Sequence, residues 1–600
     1  MKLSRVRNLS LTAFFTIALS AAAIASPQDP TEIAKNVTDG RDRPVDTAPV
    51  KKASSTMDNP SSLVRVGVQT AQTVPLTLAE AIRRAMENNN DIEISRDDVR
   101  FQETQVRSIL GFYDHVFTAT PNFSRSQSTG QPATKDFRVS TNLTKNLTAG
   151  GGNYQVFFNN NRTENAFAQA QVTSGAVTNG NSAIYSSSLG FNYNQPLARN
   201  FRVDNTRRQL TIARKRLEQT ESDFRLQATS TITNVQRAYW DYVFALRNQQ
   251  NEVANVNLAK ENLRQVEAKI EAGSAAPLER AEVATELANR EGSLLLATQT
   301  VSIAENSLKQ LVLRDPLSAE WQETFVPTDK PAFSLDAMNL NDAMKDAMDN
   351  RFELKRLRLQ REINTEDLKY FKNQTKPQID LNTQFSLDGL ARSGTNSSTT
   401  TSLITGSADI FLLNGLNSTR TSLGLPVLNN PSVVIPASPS FLFGGFNRSL
   451  ANIFRTDAPN FQIGATISFP FRNRTAKANL DGARIQSEQL QAQTRSQEQV
   501  VVVEVRNAVQ AVETSRQRVL TARRARESAE VQLEGERKLY EAGRSTTFLL
   551  FQRENSLTNA RNAEIRAETD YNKALADLQR VTSTAFRVNN IIVKSPLEPR

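Results

Sequence analysis

Two stretches of this 600-residue chain, from about Asn205 to Ala272 and from about Thr475 to Ala542, carry helical patterning with no internal proline. At 1.5 Å of rise per residue, each makes a helix roughly 100 Å long. A compact domain rarely holds a helix of that length, so the chain is restricted to a rod or a tube. Each stretch ends on an Ala-Gly step, at Gly273 in "KIEAGSAAPL" and at Gly543 in "LYEAGRSTTFLL". Glycine adopts the left-handed backbone that closes a helix, so both phrases predict a turn. Helical patterns about half as long return after each turn, over Leu278–Leu313 and Phe548–Thr582. A half-length helix also opens each half of the chain. Two half-length helices laid end to end match one full-length helix, so each half can build a straight pair with the Ala-Gly turn at its far end.

The first long helix has apolar or small residues at sevenfold spacing, among them Leu210, Leu217, Phe224, Ala238 and Ala245. A second seam holds Ala228, Val235, Tyr242, Val256, Leu263 and Ile270, with polar interruptions at Gln249 and Glu252. This is the stripe of a coiled-coil-type contact.

Other phrases also occur twice. "LTLAEAIRRAMENNN" is matched by "MNLNDAMKDAMDN", each leading through an Asn-containing joint into a charged helix. Each then enters a strand-like segment, "TATPNFSRS" or "KPQIDLNTQFSL", and comes back through "YSSSLGFNYNQPLARN" or "FQIGATISFPFRNR". Leu189, Phe191 and Tyr193 alternate with polar residues, as do Ile463, Ala465, Ile467 and Phe469, which is strand periodicity. Both returning segments end at a proline, Pro196 and Pro470; lacking a donor, proline suits the junction from strand to helix. Aromatic residues near the strand ends, Phe117, Tyr193, Phe461 and Phe471, suit either an interfacial girdle or junction packing. Polar Gly/Ser/Asn/Thr stretches lie between outgoing and returning strands, over roughly residues 389–459 in the second half. In the first half, "LTKNLTAGGGNYQVFFNNNRTENAF" can form an extra hairpin about Gly150–Gly152; its pattern fits a barrel or a loop decoration equally.

The expected organisation is a secretory signal peptide over residues 1–26, a flexible extension over 27–74, repeats over 75–325 and 326–585, and a tail over 586–600. The leader follows from basic Lys2, Arg5 and Arg7, a short apolar stretch and the small-residue pattern ending at Ala25. There is no cysteine, so disulfides and thiolate metal sites are excluded. Beyond the leader, no segment approaches the roughly 18 apolar residues of a spanning helix, so any passage through a membrane requires a closed β-barrel. The net charge of +10 is spread as Lys and Arg interleaved with Glu and Asp along helices, a solvated face and not a nucleic-acid site. No phosphate-binding loop, zinc motif or nucleophile elbow occurs, and the single histidine, His115, has no nucleophile or ligand set beside it, so neither enzyme chemistry nor a cofactor is expected.

The phrases "LTLAEAIRRAMENN", "LGFNYNQPLARN", "IGATISFPFRNR", "EAGSAAPLERAE" and "YEAGRSTTFLL", in this order and duplicated, resemble the TolC family of outer-membrane efflux proteins over about residues 76–585. The resemblance implies an α+β membrane protein with an internal two-fold repeat. It implies a homotrimer whose copies share a twelve-stranded barrel in outer-membrane lipid, continuous with a periplasmic α-helical coiled-coil tunnel. Such a trimer is the passive exit duct of a tripartite efflux pump or type I secretion system. Its partners are a periplasmic membrane-fusion adaptor and an inner-membrane pump or secretion transporter. In the family the hairpin tips meet the adaptor and form the entrance. On this chain the tip motif falls on Gly273, Leu278 and Glu279 in the first hairpin, and on Gly543 and Leu549 in the second. Arg544 lies one residue from the arginine of the family's acid–arginine gate. Where aspartates would line the second tip, the chain has Leu549 and Gln552. The alternative is a non-channel periplasmic coiled-coil scaffold, which has no use for two-faced strands at one end of the rod. Cargo and cognate pump are not specified by the sequence.

Overall fold

The computed structural model describes residue 65 and residues 73–130, 133–164, 183–274, 276–394, 398–435 and 439–593. The expected leader, most of the 27–74 segment and the end of the tail lie outside the described residues. The first half runs β1 (Thr73–Leu76), α1 (Leu78–Asn88), α2 (Asn90–Leu110), β2 (Val116–Ser126), β3 (Thr134–Asn146), β4 (Asn153–Glu164), β5 (Ile184–Pro196), α3 (Asn205–Glu271) and α4 (Pro277–Val312). The second runs β6 (Thr324–Pro327), α5 (Leu340–Asn350), α6 (Phe352–Gln374), β7 (Gln378–Arg392), β8 (Thr399–Ser402), α7 (Ser407–Ser422), β9 (Ser432–Ile435), α8 (Phe446–Ile453), β10 (Pro459–Ser468), α9 (Arg474–Glu541), α10 (Thr547–Val581) and α11 (Ala585–Val588).

The long helices α3 and α9 have 67 and 68 residues, and the returning α4 and α10 have 36 and 35. The opening helix of each half is broken by one extended residue. Asn89 ends α1 through its own N–H on the Ala85 carbonyl, then caps α2 by accepting from the N–H groups of Asp91 and Ile92. Arg351 stands at the same place between α5 and α6, with φ −64° and ψ 128° against −69° and 126° at Asn89. Upstream, Thr77 accepts from the Glu80 N–H at 3.1 Å to start α1.

The helices pack along one another, α3 against α4, α6 and α10, and α9 against α6 and α10. One core gathers Ile232, Tyr239, Tyr242, Leu308 and Phe325, and a second gathers Val501, Val505, Val512, Val519, Tyr571 and Leu578. Each such side chain stabilises the bundle by about 1.5–3 kcal/mol through burial. The predicted seams of α3 are largely the buried ones: Leu210, Phe224, Ala228, Val235, Tyr242, Ala245 and Val256 all lie inside. The polar interruptions are bonded and not exposed by default, Gln249 donating to Thr298 Oγ1 at 2.9 Å and Glu252 accepting from Asn562.

At one end of the helices stands a six-stranded antiparallel sheet in the order β10-β7-β5-β4-β3-β2. It holds two more strands than the outgoing and returning pairs account for. The extra pair is the hairpin about Gly150–Gly152, whose place the pattern leaves open; it sits inside the sheet between β5 and β2.

Candidate functional site

Because side chains alternate across a strand, the ladder registers sort the sheet into two faces. The pairs Phe123↔Phe137, Pro121↔Val139 and Phe117↔Leu143 lie on one face. Across the sheet the same face continues through Phe158↔Leu189, Phe191↔Phe385 and Phe385↔Phe461, and ends in Ile463, Ala465 and Ile467 of β10. The opposite face carries Ser140↔Asn159, Asn192↔Gln384, Asn382↔Gly464 and Gln384↔Gln462. One face is thus mainly apolar and aromatic, with Lys135, Asn160, Arg162, Glu164 and Ser187 gathered at its end away from the helices, and the other is amide- and hydroxyl-rich. Phe157 is an exception on the polar face: it lies over Gly190, where a Cβ would come within 2.3 Å of the ring.

Among the described residues, the outermost strands, β2 and β10, pair with nothing on their outer edges, and every residue of both is exposed. Each carries a proline, Pro121 and Pro459, which only an edge strand tolerates well. At the end of the sheet away from the long helices, α8 seats on the apolar face, with Ser449 Oγ 2.7 Å from Ser187 Oγ and Ile453 buried. Gly389 makes this possible, since a Cβ there would lie 2.0 Å from the Ser449 carbonyl oxygen.

At the other end the strands hand over to helices. Pro196 is the last residue of β5, and Pro470 stands two residues beyond β10, ahead of Asn473 in the left-handed region and the start of α9. His115 lies beside this junction, its Nε2 3.2 Å from the Tyr154 hydroxyl.

The hairpin tips lie at the far ends of α3 and α9. Gly273 has φ +75° and Gly543 φ +70°. The closing bonds match: Gly273 N–H donates to the Ile270 carbonyl and Ser274 N–H to Lys269, while Gly543 N–H donates to Tyr540 and Arg544 N–H to Leu539. Both tips are therefore the same two-bond helix stop. Leu278 is 70% exposed at the start of α4, with Glu279 in the same turn. Leu549 lies in the first turn of α10, where Thr546 caps the helix. Among the described residues, neither Glu279 nor Arg544 has an ion-pair partner within the chain.

The contacts that join the two hairpins are elsewhere. Lys269 Nζ lies 4.4 Å from the ring centroid of Tyr540 and 3.2 Å from its hydroxyl. Deeper in, Arg290 of α4 pairs with Glu554 of α10, and Asn262 of α3 donates to the same carboxylate. These residues are invisible to motif reading, because each pair joins positions hundreds of residues apart. A second buried charge knot ties the entering chain to α4: Arg65 pairs with Glu305, which also contacts Lys309 at 3.3 Å. Lys309 Nζ donates to the carbonyls of Trp321 and Glu323, and burial, with Arg65 nearby, lowers its pKa to about 8.

The family model for outer membrane efflux proteins matches residues 154–312 and 441–584, just over half of the chain. The chain belongs to that family. The two matched segments cover β4 (from its second residue), β5, α8 and β10 together with both long helices and their returns. Solved structures agree in fold. The chain is similar to the channel-forming protein CusC, at 13% identity and TM-score 0.55, over 91% of this chain and 99% of that one. It is also similar to the VceC outer membrane protein of Vibrio cholerae, at 13% identity and TM-score 0.53, over 84% and 95%. The CmeC outer membrane channel of Campylobacter jejuni matches at 13% identity and TM-score 0.52, over 85% and 89%. No curated protein sequence matches. As an outer membrane efflux protein, the chain is an outer-membrane exit channel of an efflux or secretion system, a conduit and not a catalyst. None of its described helices is long and apolar enough to cross a membrane, so the two-faced sheet is its candidate for that task.

Proposed function

We propose that three copies of this chain assemble into one duct, with the six-stranded sheets closing into a shared barrel in outer-membrane lipid and the helices forming a coiled-coil tunnel through the periplasm. The carrying observation is the sheet: apolar on one face, polar on the other, free at both edges, and mounted on the end of a long helical bundle. Closed on itself, such a sheet turns its apolar face to lipid and its polar face to a water-filled bore. The halves 75–325 and 326–585 act as one unit used twice, which gives the tunnel its matched pairs of one continuous and two stacked helices.

The tips at Gly273 and Gly543 are the entrance. Exposed Leu278 and Leu549 offer apolar contacts to a periplasmic adaptor, and an inner-membrane pump or secretion transporter delivers cargo through it. Glu279 and Arg544, without an ion-pair partner among the described residues, are free to pair between neighbouring hairpins and hold the entrance shut. Pro196 and Pro470 set the junctions between barrel and tunnel.

The test is imaging of the protein extracted from outer membranes in detergent, with conductance in planar bilayers. A hollow three-fold particle is expected, and Glu279→Ala should raise its conductance. A thin soluble rod without a bore would replace the duct with a periplasmic scaffold; unchanged Glu279→Ala conductance would remove the gate alone.

A further inference from the structure

The hairpin β3–β4 has strands of 13 and 12 residues, against 11, 13, 15 and 10 for β2, β5, β7 and β10. A barrel strand needs about 9–11 residues to cross a bilayer, so each of the six is long enough. The hairpin also spans the full height of the sheet. Its turn is seated against the junctions with the helices: Gln195 Nε2 donates to the Gly150 carbonyl at 2.8 Å, and Asn146 Nδ2 to the Phe112 carbonyl at 3.0 Å. Gly151 fits there only without a side chain, since a Cβ would stand 2.6 Å from the Asn200 carbonyl oxygen. Both faces continue through the hairpin, with Val139, Leu143, Val156 and Phe158 on the apolar side and Ser140, Asn142, Asn159 and Asn161 on the polar side; Phe157 is the exception on the polar side, and Asn160 and Arg162 stand on the apolar side toward the end away from the helices.

The hairpin is therefore a full-height part of the sheet and not a loop decoration. β2 leaves the helical end and β10 returns to it, so the two free edges run in opposite directions. An even number of strands per copy lets β2 of one copy meet β10 of the next antiparallel, with apolar faces on the same side.

We propose that the membrane section of the duct is an eighteen-stranded barrel, six strands from each of three copies, in place of the twelve implied by the family resemblance. This rests on the three-copy assembly proposed above. With strands about 4.8 Å apart and tilted about 40°, eighteen strands give a backbone diameter of about 36 Å, against about 24 Å for twelve. Side chains leave a bore of roughly 25 Å, which admits a helix of about 10–12 Å diameter with water around it. The cargo class that fits this bore extends beyond drug-sized solutes to polypeptide segments, and size selection falls to the helical entrance.

The deciding experiment is a strand count in a single-particle map of the full-length assembly from outer membranes. Eighteen strands, with β2 against the neighbouring β10, are expected. A three-fold particle with twelve wall strands and β3–β4 folded away overturns this proposal and leaves the duct reading standing. A particle without three-fold symmetry overturns the reading on which it rests. Thiol labelling gives a second measurement, since the chain has no native cysteine. A water-soluble maleimide should label Asn159→Cys through the bore at least tenfold faster than Phe158→Cys facing lipid; equal rates would overturn the proposal.

Discussion

Arg290 and Glu554 form an ion pair at 3.1 Å in which the side chains are 7% and 3% exposed, and it joins the two hairpins of one chain above their tips. Arg290 also pairs with Glu286 and donates to the Asn255 carbonyl, so its charge is held on three sides. Removing Glu554 leaves Arg290 with Glu286 and the Asn255 carbonyl, so the cost should fall below the about 3–5 kcal/mol of a fully stranded buried charge. Glu554→Ala should therefore loosen the tips and speed amide exchange in residues 255–290 and 547–560. The double replacement Arg290→Leu with Glu554→Leu should recover most of that loss. Additive effects in hydrogen-exchange measurements would show that the pair is not coupled.

The two tip glycines should behave alike. Nothing lies within 4 Å of a Cβ at Gly273 or Gly543, so replacement meets no clash, and the cost is the left-handed backbone alone. Gly273→Ala and Gly543→Ala should each destabilise the local turn by about 1–2 kcal/mol. Asparagine should cost less than alanine at both sites. Exchange protection of the last turn of α3 or α9 reads this directly.

Lys309 makes stability depend on pH with an unusual sign. Its folded pKa is lowered to about 8, while the unfolded chain holds that proton up to the ordinary 10.5. Between pH 8 and 10 the unfolded state binds more protons, so stability should rise by up to about 1–3 kcal/mol. Above pH 10 the trend should reverse, because burial raises the pKa of Tyr239 and pushes Tyr242 up to about 12, and these phenols stay protonated when unfolded ones ionise. Thermal melts from pH 8 to 10 should show the rise in the native chain and a flat profile in Lys309→Met, while the fall above pH 10 should remain in both.

Gly389→Ala should detach α8 from the sheet. The obstacle is a backbone carbonyl, which cannot move aside like the end of a side chain. Limited proteolysis should then cut residues 439–458 faster than in the native chain, with the helical bundle intact by circular dichroism. Unchanged cleavage would mean that α8 is not held by this contact.

Much of the fold was legible because its signals are local. Helix length, the Ala-Gly stops and the Asn89 joint depend on a few adjacent residues, and Leu189, Phe191 and Tyr193 declare a strand by alternation. The β3–β4 hairpin was legible as a hairpin but not as a part of the six-stranded sheet, since its place depends on which strands it pairs with. Gly389 looked like ordinary loop composition, and its role exists only because Ser449 arrives 60 residues later. The pairing of Arg290 with Glu554 was likewise hidden, because on each helix either residue reads as one more charge on a solvated face.

The open edges of β2 and β10, beneath a face lined by Phe123, Phe137, Phe385 and Phe461, also bear on the life of a single chain. A lone copy carries two adhesive borders and an oily side, the ingredients of aggregation. Its solitary phase is therefore a hazard to be kept brief or chaperoned, and the three-copy closure proposed above would be the same event that makes each copy safe.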